Sequence, residues 1–562
     1  MLDQQLTLRT AVEQSARRFP DRPALAMIDG EELTYAQLWQ RVQDVSAFLL
    51  QRGVRHGDRV AILAENMPNW GVAYFGVTGM GAVAVPILPD FPAPDIARII
   101  RHAEVSAVFV SNRLTGKLAG LDPSETGPVV LLEDWTEVSG APEREEEAGP
   151  ESARVSVLPS DRAAGAARTI PQRLPARDDL AAIVYTSGTT GHSKGVMLSH
   201  GNILADAEGT LQIVDIGKKD RLLSILPLSH TYECTLGFVT PILVGASISS
   251  IDKPPTAAVL LPALQRVKPT VICSVPLIIE KIYKGRVLPE LTKSPLLRKA
   301  HGIPFFRKLL HRVAGKKLMK TFGGELRLFT IGGAPLAPDV ELFLREARFP
   351  YAIGYGLTET SPLVAGTGPE RTRYRSTGPA LPGTMIRIVN ANPVTREGEI
   401  QIKGPTVMKG YYKDPERTKQ ILGDDGWLSS GDLGVMDTDG FVFIKGRLKN
   451  MILGPSGKNI YPEEIEAVIN EHDSVRESVV YEHQNRLVAL VHLDYERLQK
   501  AIQSLGESDL RQKVAALLAD LQKEINARVP FYARIHKMIE QAEPFQKTPT
   551  QKIKRHLYTP PL

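Results

Sequence analysis

The hydrophobic and polar positions in the first third of the chain alternate between helical and strand periods. Apolar residues recur at helical spacing over residues 7–19, which predicts an amphipathic helix. Thr34 and Gln37 form a capping-box pattern that predicts the start of a second helix. Short apolar runs at 59–64 and 106–110 predict buried strands. This alternation predicts a mostly parallel sheet with helices on its faces.

The longest uncharged run of the chain lies between residues 65 and 90. It contains Asn66, several glycines and Pro86, which a helix in lipid tolerates poorly. We therefore expect a buried helix followed by a strand at 82–87, and no transmembrane segment. Residues 1–19 lack the apolar core of a secretory signal peptide, so we expect none.

The composition indicates a folded protein of more than one domain. The chain has 562 residues, of which 43% are hydrophobic, which is too long for one core and too apolar for disorder. Its two cysteines, Cys234 and Cys273, have no metal-ligand spacing and suggest no disulfide framework. A cytoplasmic location with a reducing environment fits this cysteine content.

Two changes in pattern divide the chain. Residues 137–179 are rich in Glu, Arg, Ala, Pro and Ser, and we expect a polar insertion on the surface. Near the C-terminal end, a helix at 462–472 precedes two strand patterns and a long final helix, which predicts a small α+β unit. The expected domains are 1–446 and 450–562, with the boundary between them at 447–449.

The net charge of +5 is unevenly spread along the chain. Residues 281–320 carry twelve Lys or Arg against one Glu, so this basic window is +11 and the remainder is −6. Phe305 and Phe306 alternate with its charges at helical spacing, as in helices that lie on an anionic membrane surface. A solvated surface helix has the same pattern, so both interpretations stay open. Nucleic acid is not expected, because no known binding motif accompanies the window.

A loop of glycine, serine and threonine that ends in Lys194 is the strongest candidate for a binding site. A predicted strand at 181–185 precedes it, and α/β folds place ligands at strand ends. Glycine N–H groups and hydroxyls can donate to phosphates, and the lysine adds positive charge. The spacing excludes a Walker A loop, because Ser193 precedes the lysine and Gly195 follows it. The expected phosphate-binding residues are Thr186, Ser187, Gly188, Thr189, Thr190, Gly191 and Lys194.

Later segments add groups that suit a nucleotide. Tyr355 offers a flat face to a purine and Thr358 a hydroxyl to phosphate. Glu359 offers a carboxylate oxygen, the type of ligand that Mg²⁺ prefers. Asp432 can accept hydrogen bonds from both hydroxyls of a ribose, and Arg447 can reach ribose or phosphate.

The glycine-rich loop resembles the phosphate loop of the adenylate-forming superfamily, which includes acyl-CoA synthetases, luciferases and peptide-synthetase adenylation domains. Ser193 stands where that family usually has proline. Further similar segments follow in the family's order, from Leu-Pro-Leu-Ser-His at 226–230 to a lysine motif near residue 552, and the resemblance spans about residues 5–556. The chain resembles bacterial long-chain fatty acid–CoA ligases most. This implies an α/β fold with a large N-terminal domain of mixed sheets flanked by helices and a small mobile α+β C-terminal domain.

The resemblance also implies roles for individual residues. His230 borders the acyl site, although a lone histidine is often structural. Glu359 and Thr186 bind Mg²⁺, and Glu359 is counted among the catalytic residues with His230. The segment Gly-Gly-Ala-Pro at 332–335 stacks on adenine. The ATP-binding residues implied in addition to the loop are Gly333, Ala334, Pro335, Tyr355, Gly356, Thr358, Asp432 and Arg447.

Two lysines near the C-terminal end complete the resemblance. Lys552 matches the catalytic lysine, although Gln551 precedes it where the family usually has glycine. Lys554 is the alternative if the register is different. Lys449 matches the hinge position, which is often Asp in the family.

The implied activity uses ATP and Mg²⁺ to convert a long-chain fatty acid to acyl-AMP, and then transfers the acyl group to coenzyme A. One alternative is an enzyme that stops at acyl-AMP or loads an acyl carrier protein. Another is a catalytically silent membrane-surface or scaffold protein that retains a nucleotide fold. The expected location is cytoplasmic, with peripheral attachment to a membrane through residues 281–320 left open.

Overall fold

The computed structural model describes most of the chain, namely residues 6–138, 173–186, 193–251, 253, 255–453, 459–484, 486–495, 498, 507–548 and 552–558, with the side chains of 507–511 excepted. Most of the predicted insertion at 137–179 lies outside the described residues. The same is true of Ser187, Gly188, Thr189, Thr190 and Gly191 of the glycine-rich loop.

The helices of the described residues are distributed along the whole chain. They are α1 Leu8–Arg18, α2 Tyr35–Gln51, α3 Pro68–Gly79, α4 Ala93–Ala103, α5 Pro123–Thr126, α6 His200–Ile213, α7 Thr240–Leu243, α8 Ala257–Val267, α9 Pro276–Ile282, α10 Leu288–Thr292, α11 Pro295–His301, α12 Pro304–Thr321, α13 Pro338–Ala347, α14 Pro415–Ile421, α15 Pro462–Asn470 and α16 Glu507–Arg528. Two π-helical segments, Glu233–Val239 and Tyr283–Val287, precede α7 and α10.

The strands alternate with these helices. They are β1 Pro23–Met27, β2 Glu32–Thr34, β3 Arg59–Leu63, β4 Val83–Ile87, β5 Val105–Val110, β6 Val129–Leu131, β7 Glu137–Val138, β8 Leu180–Thr186, β9 Lys194–Ser199, β10 Arg221–Ser224, β11 Ser247–Ser250, β12 Val271–Ser274, β13 Leu328–Ile331, β14 Tyr351–Ile353, β15 Tyr355–Gly356, β16 Leu363–Ala365, β17 Met385–Val389, β18 Gly398–Lys403, β19 Gly410–Tyr411, β20 Leu428–Met436, β21 Val442–Arg447, β22 Ile452–Leu453, β23 Asn459–Ile460, β24 Val475–His483, β25 Arg486–Leu493 and β26 Ile535–Glu540.

Two large mixed sheets organise residues 6–447. One has the order β19-β9-β8-β4-β3-β5-β6-β7 and is parallel from β8 to β6. The other has the order β14-β13-β12-β10-β11-β1-β2 and is parallel except for the pair β1–β2. A smaller antiparallel sheet follows, with the order β17-β18-β20-β21. The predicted α/β class with mixed sheets is confirmed.

A buried helical layer separates the two large sheets. Every residue of α3 is buried, and its Trp70 packs edge-on against Phe238 at 5.9 Å between ring centroids. Successive residues of a strand point to opposite faces of the sheet. In β3, Val60 and Ile62 therefore pack with α3, whereas Ala61 packs with α4 on the outer face. A third cluster joins the outer face of the seven-stranded sheet to α8, α12 and α13. The predicted buried helix and strand at 65–90 are therefore present.

Local sequence explains where the first helices begin. Thr7 caps α1 and Thr34 caps α2, each through a capping box that satisfies backbone N–H groups of the first turn. Leu8, Ala11 and Val12 form the buried face of α1, as the helical spacing predicts.

The C-terminal unit is built on the sheet β24-β25-β26. Helices α15 and α16 pack on it through a separate hydrophobic cluster. Strands β24 and β25 are antiparallel, whereas β25 and β26 are parallel. A separate core of helices and strands is what the α+β pattern predicts.

The basic window 281–320 folds as a series of short helices and the longer α12, rather than as one continuous helix. Pro295 and Pro304 each lie in the first turn of a helix, where the missing N–H costs nothing. Proline cannot continue a preceding helix, and this divides the window. Among the described residues, we find no helix with both the length and the apolar character that crossing a membrane requires.

Candidate active site

A cavity of 2710 Å³ lies where both large sheets meet the C-terminal unit. Its walls include residues that directly follow β4, β10, β12, β13 and β14, so the carboxyl ends of parallel strands open into it. Predicted site residues on these walls are Thr186, Lys194, His230, Gly333, Ala334, Pro335, Tyr355, Gly356, Thr358, Glu359, Asp432, Arg447, Lys449 and Lys552.

Lys194, Tyr411 and Glu359 form a connected group on one wall. Lys194 begins β9 and Tyr411 ends the neighbouring β19. The Tyr411 hydroxyl donates to Glu359 Oε1 at 2.7 Å, and Lys194 Nζ donates to the same hydroxyl oxygen at 3.5 Å. Burial lowers the pKa of Lys194, and the Glu359 carboxylate opposes that shift. The group presents a positive charge and a carboxylate side by side.

Asp432 is the centre of a second group. It faces Arg447 across the pair β20–β21, and Arg447 Nε lies 2.7 Å from Asp432 Oδ1. The Tyr355 hydroxyl donates to Asp432 Oδ2 at 2.7 Å. Burial raises the pKa of Asp432, whereas the Arg447 charge lowers it. Because a carboxylate oxygen accepts more than one hydrogen bond, Asp432 can still accept hydroxyls of a ligand.

Lys552 reaches this cavity from the C-terminal unit. Its side chain lines the cavity. Burial and the Arg447 charge lower its pKa, and Asp432 and Glu359 oppose this. Lys554, the alternative lysine, also lines the cavity, but Lys552 is the one that interacts with both carboxylates.

His230 lies in the turn that follows β10 and is half-buried on the cavity wall. Its Nδ1 accepts the N–H of Tyr232 at 3.2 Å, so a neutral ring carries its proton on Nε2. Burial and the charge of Lys552 lower the pKa of His230 to about 4. At neutral pH the ring is therefore an uncharged N–H donor.

The segment after β13 brings backbone to the cavity surface. Gly333 has φ +85°, a left-handed conformation that favours glycine. A Cβ at Gly333 would meet only Val275 Cγ1, at 3.9 Å. A flat ligand can therefore approach this backbone closely.

The family model for AMP-binding enzymes matches residues 12–412. The chain belongs to this family. It is 30% identical to the peroxisomal long chain acyl-CoA synthetase 6 of Arabidopsis thaliana, over 94% of this chain and 80% of that protein. It is 29% identical to the long-chain-fatty-acid–CoA ligase FadD15 of Mycobacterium bovis, over 94% of this chain and 91% of that protein. Its fold matches the crystal structure of ATP-bound MatB from Rhodopseudomonas palustris with a TM-score of 0.74 and 25% identity, covering 98% of each chain.

Contacts between the C-terminal unit and the rest of this AMP-binding enzyme hold Lys552 at the cavity. Lys284 Nζ donates to the carbonyl of Asn470 at the end of α15. The Tyr461 hydroxyl donates to Glu397 Oε2 at 2.8 Å. The predicted hinge residue Lys449 lies in the 3₁₀ turn Leu448–Asn450 after β21, and its role stays a prediction.

The sequence alone does not indicate the role of two polar residues in the AMP-binding enzyme's cavity. Tyr411 lies in the two-residue strand β19, which is too short to show a period, and only its place beside Gly410 marks it. In the sequence Asn66 only marks the uncharged run 65–90 as unsuited to lipid, but in the structure its side chain contacts the turn that carries His230. Both residues form hydrogen bonds to groups that are distant in the sequence, and a local sequence pattern does not show such contacts.

Proposed function

We propose that the protein converts a long-chain fatty acid to acyl-AMP with ATP and then transfers the acyl group to coenzyme A. The enzyme class, an AMP-forming acid–thiol ligase, follows from its family and relatives. The observation that carries the proposal is that one cavity is lined both by the polar groups around Lys194, Asp432 and Lys552 and by a set of apolar side chains. These apolar residues include Ile225, Leu260, Leu264, Ile282 and Leu318.

The polar groups suit an in-line attack of a carboxylate on the α-phosphorus of ATP. Both reactants are anionic, so positive charge must be positioned between them. Lys552 supplies that charge, and Lys194 holds the phosphates and the departing pyrophosphate. Asp432 and Arg447 hold the ribose, and the neutral His230 ring donates its Nε2–H at the acyl carboxylate.

The donor set also fits a magnesium ion. Mg²⁺ is usually bound through one or two carboxylates together with substrate phosphates, and Glu359 and Thr186 would hold it here. When bound, the ion neutralises phosphate charge. Within the described residues no cluster of three or more His, Cys, Asp or Glu side chains is arranged to hold a metal.

The second step needs a thiol in the place that Lys552 occupies. We infer that the C-terminal domain, residues 450–562, turns about the hinge 447–449 after acyl-AMP forms, which is a hinge motion of a common kind. Coenzyme A is the acceptor we favour, because both relatives above are named for it. An acyl carrier protein is the alternative acceptor.

Mass spectrometry of products tests the proposal. The enzyme is incubated with ATP, Mg²⁺ and a mixture of saturated acids, with and without coenzyme A. We expect acyl-CoA and AMP, chiefly from the longer acids. Acyl-AMP that persists with coenzyme A present would favour the carrier protein, and no ATP turnover with any acid would contradict the proposal.

We also propose that α12 rests on an anionic membrane surface and receives the fatty acid there. Phe305, Leu309 and Val313 lie four residues apart and are 74%, 55% and 52% exposed, so they form one apolar stripe. Lys308 and Arg312 are exposed beside it. Val313 also lines the cavity, so one end of the stripe reaches the cavity wall. Apolar residues flanked by cations are typical of helices that bind anionic lipid interfaces.

Vesicle sedimentation tests this surface. We expect binding to vesicles that contain anionic lipid, weaker binding at high salt, and loss of binding in the double variant Phe305→Ser with Leu309→Ser. Val394→Ser is the matched control, because Val394 is 88% exposed on a different part of the surface. Binding that the double variant leaves unchanged would contradict the assignment.

A further inference from the structure

Asn66 connects the two large sheets at the edge of the cavity. It follows β3 of the eight-stranded sheet and contacts the turn 226–230, which follows β10 of the seven-stranded sheet. The side chain lines the cavity, although none of the steps above uses it.

The Asn66 carboxamide makes three hydrogen bonds to this region. Its Nδ2 donates to the carbonyl of Leu226 at 2.6 Å and to Ser224 Oγ at 2.9 Å. Its Oδ1 accepts the backbone N–H of Leu228 at 2.9 Å. Both donors of the amide are used. Ser224 and Leu228 are buried, so without Asn66 their polar groups would lose a hydrogen-bond partner that water does not readily replace.

The same side chain also reaches the segment that leaves the turn. The Ser224 hydroxyl has one proton, which it donates to Glu233 Oε1 at 2.6 Å while it accepts from Asn66. Glu233 begins the π-helix Glu233–Val239. Asn66 is therefore linked to the chain on both sides of His230, before the turn and after it.

We propose that Asn66 is a positioning residue for His230. By fixing Leu226 and Leu228, it holds the turn in the conformation that places the imidazole on the cavity wall. This inference rests on the proposed role of His230 in forming acyl-AMP. Its test therefore includes a readout that does not need activity.

The first measurement is an NMR titration of His230. Asn66→Ala removes all three hydrogen bonds and adds no charge. We expect the His230 pKa to rise from about 4 towards the ordinary value of about 6.5, because the turn no longer holds the half-buried ring on the cavity wall beside Lys552. Asn69→Ala is the matched control: Asn69 is a buried asparagine nearby that donates to the Leu132 carbonyl at 2.6 Å. An unchanged His230 titration in Asn66→Ala overturns the inference, whether or not the enzyme is active.

The second measurement is a double-mutant cycle on acyl-AMP formation. Asn66→Ala should lower kcat by roughly 10–100-fold, the usual effect of a misplaced catalytic group, and change the KM for ATP by less than about twofold. In the His230→Ala enzyme, Asn66→Ala should lower kcat by less than about threefold. The reason is that the effects of substituting two groups that act together are not additive. A full loss in the His230→Ala background overturns the inference. If Asn66→Ala fails to fold, both measurements are made on Asn66→Ser, whose hydroxyl retains one hydrogen-bond donor.

Discussion

At the scale of single residues, the charges around Lys552 act on it in opposite directions. Burial and the Arg447 charge lower the pKa of Lys552, while the Asp432 and Glu359 carboxylates raise it. In the proposed reaction, the positive charge of Lys552 is available to a bound triphosphate. Asp432 and Arg447 were predictable from the sequence because they stand in recognisable segments, whereas their mutual contact was not.

Lys552→Ala should abolish acyl-AMP formation, because the charge between the two anionic reactants is lost. Thioester formation from supplied acyl-AMP should survive. Pyrophosphate release and acyl-CoA formation measure the two steps separately. Lys554→Ala is the matched control, and equal loss of both steps in Lys552→Ala would contradict the assignment.

A buried carboxyl group makes stability depend on pH. Burial raises the pKa of Glu233 to about 8, and the Ser224 hydroxyl opposes the shift. Between the unfolded pKa of about 4.3 and that value, the folded protein holds a proton that the unfolded chain releases. Stability therefore falls as pH rises through this range.

Glu233→Gln should remove that loss of stability. We expect the thermal midpoint of the variant to fall less between pH 5 and pH 8 than that of the natural protein. Thermal unfolding followed by circular dichroism at both pH values measures the difference. If the thermal midpoints of the two proteins change equally between pH 5 and pH 8, Glu233 is ionised when buried, which would contradict the prediction.

At the scale of elements, periodic segments were predictable and short ones were not. The helix α3 and the strand β4 follow from the uncharged run at 65–90, since burial on all sides requires apolar residues throughout. The two-residue strand β19 carries no period, yet it places Tyr411 beside Glu359. The basic window has a helical pattern, but its prolines decide that it forms several helices.

The crossing of α2 and α3 depends on a glycine. A Cβ at Gly76 would lie 2.5 Å from Val45 Cγ1, which requires the helices to move apart. Gly76→Ala should lower the free energy of unfolding by about 1–3 kcal/mol. Gly79→Ala, near the end of the same helix, meets contacts of 3.8 Å or longer and should be nearly neutral. Denaturant unfolding of both variants measures this, and equal effects would contradict the packing argument.

At the scale of the whole molecule, the arrangement of the two parts is what the sequence could not supply. The contacts Lys284–Asn470 and Tyr461–Glu397 join residues from opposite sides of the hinge. They hold the C-terminal unit where Lys552 faces the cavity, which is the arrangement that the proposed formation of acyl-AMP requires. No local pattern encodes such distant pairs.

Lys449→Pro should slow thioester formation more than acyl-AMP formation, because proline restricts the backbone about which the C-terminal unit would turn. Single-turnover kinetics of each step measure the ratio. Lys449→Ala is the control for loss of charge with a free backbone. Equal slowing of both steps by proline would place the hinge elsewhere.

The cations gathered in the cavity make nucleotide binding a proton-linked event. Lys194, Lys449 and Lys552 all have lowered pKa values in the ligand-free protein, and a polyphosphate beside them would raise those values. At alkaline pH the complex should therefore take up protons from the buffer as it forms. Calorimetry in buffers with different heats of ionisation would then give different apparent enthalpies for the same reaction.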